Sequence, residues 1–484
     1  MPESQPNIIL ITTDQQRFDT VGRAAPPWMN NPNYMHLCYE GVEFTRAYSD
    51  CPLCVPARVT IMTGQAADRH GMLANGHTHE VMDEDNTLPA CLKQVGYHTA
   101  AIGKMHFHPM RKRHGFDEML LPQDYFNEMR RSGYPCAPMA SGLTQTDLNP
   151  GMSTVPEALT LTHWIADQSA HYIRERRDPT HPFFLWTSFS KPHQPFDPPE
   201  PYYSMYLDAP IPEPVCGDWS EGDAVPAAFR RTQVAQGYDL LSKEVLRKAR
   251  AAYLGMITQI DYNMGRIFEA LRDTGQWENT VILFTSDHGE YLGDHYAAQK
   301  CYFHEPSAHV PFVLRLPRPW ERRVNWVENR SPVTLADVMP TILDVAGSEP
   351  PEGIDGRSLM PIARGETEKV GDFAFARGPV TREYLAATDG RFKYIWYPEG
   401  EVVQGFDLQE DPKELKNLAA DDRLSPGLER LRKAVIEHYG ARGCDWIRDG
   451  ELVGFEPQQV SEAELRDRNH DTFMGEFFDK DTRH

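Results

Sequence analysis

The chain lacks any apolar run near the roughly 20 residues needed to cross a bilayer. Its opening Met1-Pro2-Glu3-Ser4-Gln5-Pro6-Asn7 has neither the basic region nor the apolar stretch of a secretion signal. A cytoplasmic protein with no membrane contact is expected. Cysteine is sparse, 8 in 484 residues and scattered, which argues against a disulfide scaffold and fits a reducing compartment. Positive charge is in deficit, with 49 Lys and Arg against 70 Asp and Glu and a net charge of −21, so neither nucleic acid nor an anionic membrane is expected as a partner. An anionic substrate would have to be attracted by a local concentration of cations. No internal repeat or low-complexity tract is present.

What the chain does have is enough apolar residue, 40% of the total, to bury a large core. Four short apolar runs, Asn7 to Thr13, Tyr97 to Gly103, Pro182 to Phe189 and Val281 to Ser286, read as buried parallel strands. Between the last two, Tyr253, Ile257, Ile260, Met264, Ile267 and Leu271 recur at spacings of three and four, which predicts a helix from about Ser242 to Arg272 covering one sheet face. The Pro-rich stretch from Gln194 to Pro214 reads as an irregular surface crossing. After about Gly365 the pattern changes to alternating strands: Tyr384 to Thr388 and Phe392 to Tyr397 flank Asp389-Gly390, a hairpin signal, and Leu428 to Tyr439 reads as a closing helix. The expected fold is α/β, a large and mostly parallel sheet flanked by helices over residues 1–365, followed over 366–484 by a smaller α+β subdomain with an antiparallel sheet.

The segment Cys54-Val55-Pro56-Ala57-Arg58, continuing to Thr63-Gly64, puts a potential nucleophile at a helix start. Pro56 suits the first turn, where free backbone N–H groups and the positive end of the helix dipole attract an anion. A thiol there would have a depressed pKa and be reactive. Two other readings compete: Cys51-Pro52-Leu53-Cys54 as a CxxC redox or zinc half-site, for which no partner pair follows, and an inert buried cysteine.

Ligands in open parallel sheets bind outside the carboxyl ends of strands, and here those ends carry one chemical theme. The first delivers Asp14-Gln15, the second Lys104-Met105-His106, the third Lys191-Pro192-His193 and the fourth Asp287-His288-Gly289. Oxygen atoms of Asp14, Gln15 and Asp287 with a nitrogen of His288 would hold a divalent cation, and the Cys54 turn could meet it. Each residue alone has a plainer reading, as a turn former, a helix cap or a surface charge.

Cys54-x-Pro56-x-Arg58, the early Asp14, Gly103-Lys104-x-His106, Lys191-Pro192-His193-x-Pro195-Phe196 and Asp287-His288-Gly289 together resemble the type I sulfatases of the alkaline phosphatase superfamily. The later Phe406-Asp407-Leu408-x-x-Asp411-Pro412-x-Glu414-x-x-Asn417-Leu418 is similar to that family's C-terminal signature. The resemblance implies hydrolysis of a small-molecule sulfate monoester to an alcohol or phenol and inorganic sulfate. It implies that a maturation enzyme oxidises Cys54 to formylglycine, whose hydrate attacks sulfur and later collapses to the aldehyde, expelling sulfate. Asp14, Gln15, Cys54, Asp287 and His288 would hold one divalent ion. Arg58 would stabilise the nucleophile, and His106 would act as base for the collapse. Lys104, Lys300 and His193 would contact sulfate or leaving oxygens, Lys300 or His193 protonating the latter, with Asn75 as a further polar contact.

Many calcium sulfatases pair Asp-Asp early with Asp-Asn late; Asp14-Gln15 and Asp287-His288 look more like the phosphonate monoester hydrolase and choline sulfatase branches. Calcium or manganese is expected, with zinc as a third choice, because a nitrogen ligand softens the site. The alternative activity is phosphonate monoester or phosphodiester hydrolysis by the same nucleophile, alone or alongside sulfate hydrolysis. Lys104 and His106 favour sulfate, since that branch typically has Tyr and Thr there. A different class of reading, a non-catalytic anion binder on an enzyme scaffold, would be marked by loss of the cysteine or the metal ligands, and none is missing. Phe107, Phe196 and Tyr202 would form either an aromatic platform at the mouth or part of the core. The apolar tail Phe473 to Phe478 would dock on a second copy in a homo-oligomer.

Overall fold

A computed structural model of the chain describes residues 5–76, 78, 82–134, 143, 148–238, 241–317, 326–419, 424–458 and 460–467; the Phe473 to Phe478 tail lies outside the described residues. The strands are β1 (Asn7–Asp14), β2 (Gly41–Phe44), β3 (Ala47–Tyr48), β4 (His98–Gly103), β5 (Glu118–Leu120), β6 (Phe183–Pro192), β7 (Thr280–Ser286), β8 (Phe312–Arg315), β9 (Val327–Asn329), β10 (Val333–Thr334), β11 (Ala374–Arg377), β12 (Leu385–Thr388), β13 (Phe392–Tyr397) and β14 (Val402–Asp407). Among the described residues, eight of them form one sheet in the order β5-β4-β6-β1-β7-β8-β2-β9. The expected strands β1, β4, β6 and β7 are mutually parallel and form its centre. As expected, the sheet is mostly parallel: β8 runs antiparallel to both β7 and β2, and β2 and β9 beyond it return to the direction of the centre.

Strand parity divides the core. Ile8 and Leu10 of β1 face one layer with Val55, Val59 and Met62 of the helix Cys54–Thr63, whereas Ile9 and Ile11 face the other with Ile257, Ile260 and Met264. Those last three lie on the helix Lys243–Asp273, 31 residues long, capped by Ser242 Oγ accepting from Val245 N at 3.2 Å. All six residues of its predicted apolar stripe are buried.

The second sheet is antiparallel in the order β11-β12-β13-β14. Leu385, Tyr394 and Trp396 on one face pack against Leu431, Val435 and Tyr439 of the helix Pro426–Gly440. Tyr384, Ala386, Ile395 and Tyr397 on the other pack against Tyr291, Tyr302, Phe303 and Ala308 from the segment after β7. The C-terminal sheet thus backs the loop that carries Asp287, His288 and Lys300. The stretch from Gln194 to Pro214 is less of a surface crossing than expected. Gln194 and Phe196 are buried and Tyr202–Met205 forms a helical turn, because the chain leaves β6 inside the molecule.

Candidate active site

The central strands end at one place. β1 ends on Asp14, β7 is followed by Asp287 and His288, β4 runs into Lys104, β6 into His193, and Cys54 is the first residue of its helix. One ligand atom each from Asp14, Cys54, Asp287 and His288 lies within 4.8 Å of all the others, and all four residues are buried. Cys54 Sγ is 3.2 Å from His288 Nε2 and 3.8 Å from Asp14 Oδ1. His288 Nδ1 is held by Gly289 O at 3.0 Å, which aims Nε2 inward, and burial lowers its pKa, keeping that nitrogen a neutral donor of electrons. Ligands bonded to one ion at about 2.0–2.6 Å stand at most about 5 Å apart, so this group fits a single divalent cation.

Arg58, one helical turn after Cys54 and completely buried, braces these groups. Nε donates to Asp287 Oδ2 at 3.0 Å, Nη2 approaches Asp287 Oδ2 at 2.9 Å and Asp14 Oδ2 at 3.5 Å, and Nη1 donates to Lys104 O at 2.5 Å and Ser188 Oγ at 2.9 Å. Lys104 Nζ pairs with Asp14 Oδ2 at 2.6 Å. Burial alone would raise the Asp14 pKa, but Lys104, His193, Arg58 and His288 outweigh it and hold the carboxyl well below the usual range. The Cys54 thiol behaves oppositely to the helix-dipole expectation: burial, with Asp14 and Asp287 adding to it, pushes its pKa far up despite Lys300 and Lys104. A plain reactive thiolate is therefore not what this pocket makes.

Asn75 Oδ1 accepts from Val55 N at 3.2 Å, so its side chain caps the first turn of the Cys54 helix. Lys300 Nζ donates to Gln15 Oε1 at 2.5 Å and to His193 Nε2 at 2.9 Å, while His193 Nδ1 is held by Gln194 O at 3.0 Å. Gln15 adopts φ 70°, and its N–H donates to Asp287 Oδ1 at 3.0 Å. His106, two residues beyond Lys104, is buried at φ 59° with its ring 5.6 Å from that of His108. Lys191 turns away to Asp197 at 2.6 Å. The aromatic platform is not formed: Phe107 packs on Trp186, Phe196 on Tyr253 and Tyr202 on Tyr262, each buried in the protein's own packing.

Several supports escaped the motifs. Ser188 donates to Lys104 O at 2.5 Å, Tyr253 on the long helix donates to Gln15 O at 2.7 Å, and Glu290 gathers the amides of Gln15 and Gln194. The signal for Glu290 was its place in Asp287-His288-Gly289-Glu290, a charge inside a loop that follows a buried strand. Two glycines are required by close approach. At Gly103, φ 104°, a Cβ would lie 2.0 Å from Ser188 O; at Gly289 it would lie 2.1 Å from Pro306 O. Gly289 N donates to Ser307 O at 2.7 Å, binding the loop that carries Asp287 and His288 to the 305–309 segment. Gly289→Ala is expected to destabilise the protein by about 1–3 kcal/mol, since backbone must move to admit the methyl group, and to reduce activity by displacing His288. Thermal melting alongside kcat checks both.

The geometry agrees with the comparisons. The family model described as Sulfatase matches residues 6–348, and that described as N-sulphoglucosamine sulphohydrolase, C-terminal, matches residues 293–440. The chain is 32% identical over 467 residues to an arylsulfatase of Clostridium perfringens, covering 90% of this chain and 95% of that one. It is 30% identical over 444 residues to a choline-sulfatase of Rhizobium meliloti, covering 87% and 84%. The solved phosphonate monoester hydrolase of Silicibacter pomeroyi superposes with a TM-score of 0.76 at 25% identity, covering 90% of this chain and 96% of that one. The protein is a hydrolase belonging to the sulfatase family of the alkaline phosphatase superfamily.

Proposed function

We propose that the protein hydrolyses a sulfate monoester to an alcohol or phenol and inorganic sulfate, with formylglycine made from Cys54 by a separate maturation enzyme as the source of its nucleophile. The observation that carries this reading is the meeting of Cys54, at a helix N-terminus, with two carboxylates and an imidazole nitrogen inside 4.8 Å, beside Arg58 and Lys104. Asp14, Asp287 and His288, with Gln15 as a further oxygen, would hold the divalent ion. Once in place, the ion supplies Lewis-acid stabilisation of negative charge and the hydrated aldehyde supplies the attacking hydroxyl.

The rest falls to the chain's own groups. Arg58 fixes both carboxylates relative to the Cys54 helix and offsets their charge. Lys104 sits beside Asp14 and places a second cation where a sulfate would dock. With His193 Nδ1–H donating to Gln194 O, His193 Nε2 accepts from Lys300. The mobile proton then resides on the Lys300 ammonium, the group that protonates the departing oxygen, and His193 orients it. His106, carried past Lys104 by the same turn, serves as base for release of sulfate.

Phosphonate monoester hydrolysis is the second reading, favoured by the superposition on a phosphonate monoester hydrolase and by the Asp14-Gln15 and Asp287-His288 pairs. Comparison of kcat/KM on 4-nitrophenyl sulfate and 4-nitrophenyl phenylphosphonate decides between them. The sulfate ester is expected to be the better substrate, and a far larger value for the phosphonate overturns that assignment. Mass measurement of the Cys54 peptide checks conversion to the aldehyde.

A further inference from the structure

We infer that Glu290 is a positioning residue that fixes which end of the Gln15 amide faces the active centre. The inference rests on the reading of Gln15 as an oxygen ligand at the metal and sulfate site. Glu290 is fully buried. Its Oε1 accepts from Leu292 N at 2.9 Å and Gln299 N at 2.5 Å, and its Oε2 accepts from Gln15 Nε2 and from Gln194 Nε2, the latter at 3.1 Å. Gln15 Nε2 spends its other hydrogen on Gln194 Oε1 at 2.5 Å.

Each Glu290 oxygen thus accepts from two N–H groups, and a carboxyl filled in this way admits a single orientation of each glutamine it meets, N–H inward. Gln15 Oε1 must then point the opposite way, where Lys300 Nζ donates to it at 2.5 Å. The same carboxylate holds Gln194, beside His193, and Gln299, whose φ of 60° turns the chain into Lys300. One side chain therefore sets which end of the Gln15 amide meets Lys300, and holds the neighbours of Lys300 and His193. Closed polar networks of this kind favour one arrangement because every alternative strands a buried donor or acceptor.

Glu290→Gln keeps the shape and reverses half the code. Its oxygen still takes Leu292 and Gln299 N–H, but its NH2 now meets two NH2 groups, and Gln15 and Gln194 relieve the conflict by flipping together, which preserves the bond between them with donor and acceptor exchanged and turns the Gln15 NH2 towards Lys300 and the centre. Mn2+ affinity of the chelator-treated protein, read by calorimetry, is expected to fall about 10–100-fold, the scale for supports of metal ligands. With the metal-loaded enzyme, kcat on 4-nitrophenyl sulfate should fall by a similar factor and KM by much less. Adding Gln15→Glu restores complementarity, because the NH2 introduced at position 290 then donates to one oxygen of the new carboxylate and the other oxygen faces the centre. The double variant should recover most of the lost Mn2+ affinity, whereas Gln15→Glu alone sets two carboxylates together and stays impaired.

A Glu290→Gln protein that matches wild type, or a double variant no better than either single one, overturns the inference. If Glu290→Gln alone does not fold, rescue of folding by Gln15→Glu supports the pairing and failure of rescue counts against it. Folded wild type that binds no Mn2+ overturns the metal reading together with the inference; wild type that binds while Glu290→Gln binds equally well removes only the positioning role.

Discussion

Cys54→Ala is expected to lower kcat/KM by about 10⁴-fold or more, the scale for loss of a nucleophile, while costing only about 1 kcal/mol of stability, as for a small buried group with few polar contacts. The small structural cost follows from what the side chain touches. Its sulfur makes two polar approaches, 3.2 Å to His288 Nε2 and 3.8 Å to Asp14 Oδ1, and the helix it starts is anchored by Val55, Val59 and Met62 in the core. The large functional cost follows from the absence of a substitute, because among the described residues no second thiol joins the group of Asp14, Asp287 and His288. Unconverted Cys54 should itself be nearly inactive: burial and the two carboxylates raise its pKa, so the thiolate is scarce at neutral pH. Activity should therefore scale with the fraction of Cys54 peptide found as aldehyde by mass spectrometry. Full turnover from wholly unconverted protein would remove formylglycine from the mechanism.

The strands were readable because burial on both faces leaves continuous apolar runs, and the polar residues that end them were readable because the runs stop there. Asn7 to Thr13 and Val281 to Ser286 pointed directly to Asp14 and Asp287. The Asp389-Gly390 turn was readable too: Asp389 Oδ1 accepts from Arg391 N at 2.9 Å, and Gly390 takes φ 87°. Direction was not readable in Phe312–Arg315, which is only four residues long and carries no mark of running against its neighbours. Nor were the partners of the side chains gathered at the site, which come from far along the chain: Gln15 meets Glu290 and Lys300, and Tyr253 secures Gln15 from the outer helix. The thiol pKa differs from what the helix start alone implies for a related reason. A helix N-terminus is visible in Pro56, whereas the depth of burial and the two facing carboxylates emerge only when three segments close on one another.

Lys393 shows how parity reveals a location but not a purpose. In Phe392-Lys393-Tyr394-Ile395-Trp396-Tyr397 it shares a face with Ile395 and Tyr397, the face turned towards the loop after β7, and it is fully buried. Nζ meets Glu305 Oε1 at 2.6 Å, Glu414 Oε1 at 2.7 Å and Phe303 O at 2.8 Å, tying β13 to the segment that receives Gly289. Burial would raise the Glu305 pKa, but Lys393, His309 and Arg46 hold it well below the usual range, whereas burial and Glu305 push Glu414 up to about 7. A carboxyl raised in the folded state stabilises fully below its unfolded pKa, and that contribution is lost as pH rises through the folded value. For Glu414 the window runs from 4.5 to about 7. Lys393→Met leaves two buried carboxylates facing each other without their cation, at an expected cost of about 3–5 kcal/mol. Both pKa values then rise, so the deficit should be larger at pH 8 than at pH 6, where protonation removes the repulsion. Urea unfolding of both proteins at the two pH values measures this. An equal or smaller deficit at pH 8 would show that Lys393 contributes packing rather than charge, and that the C-terminal sheet grips the loop after β7 without an ionic clasp.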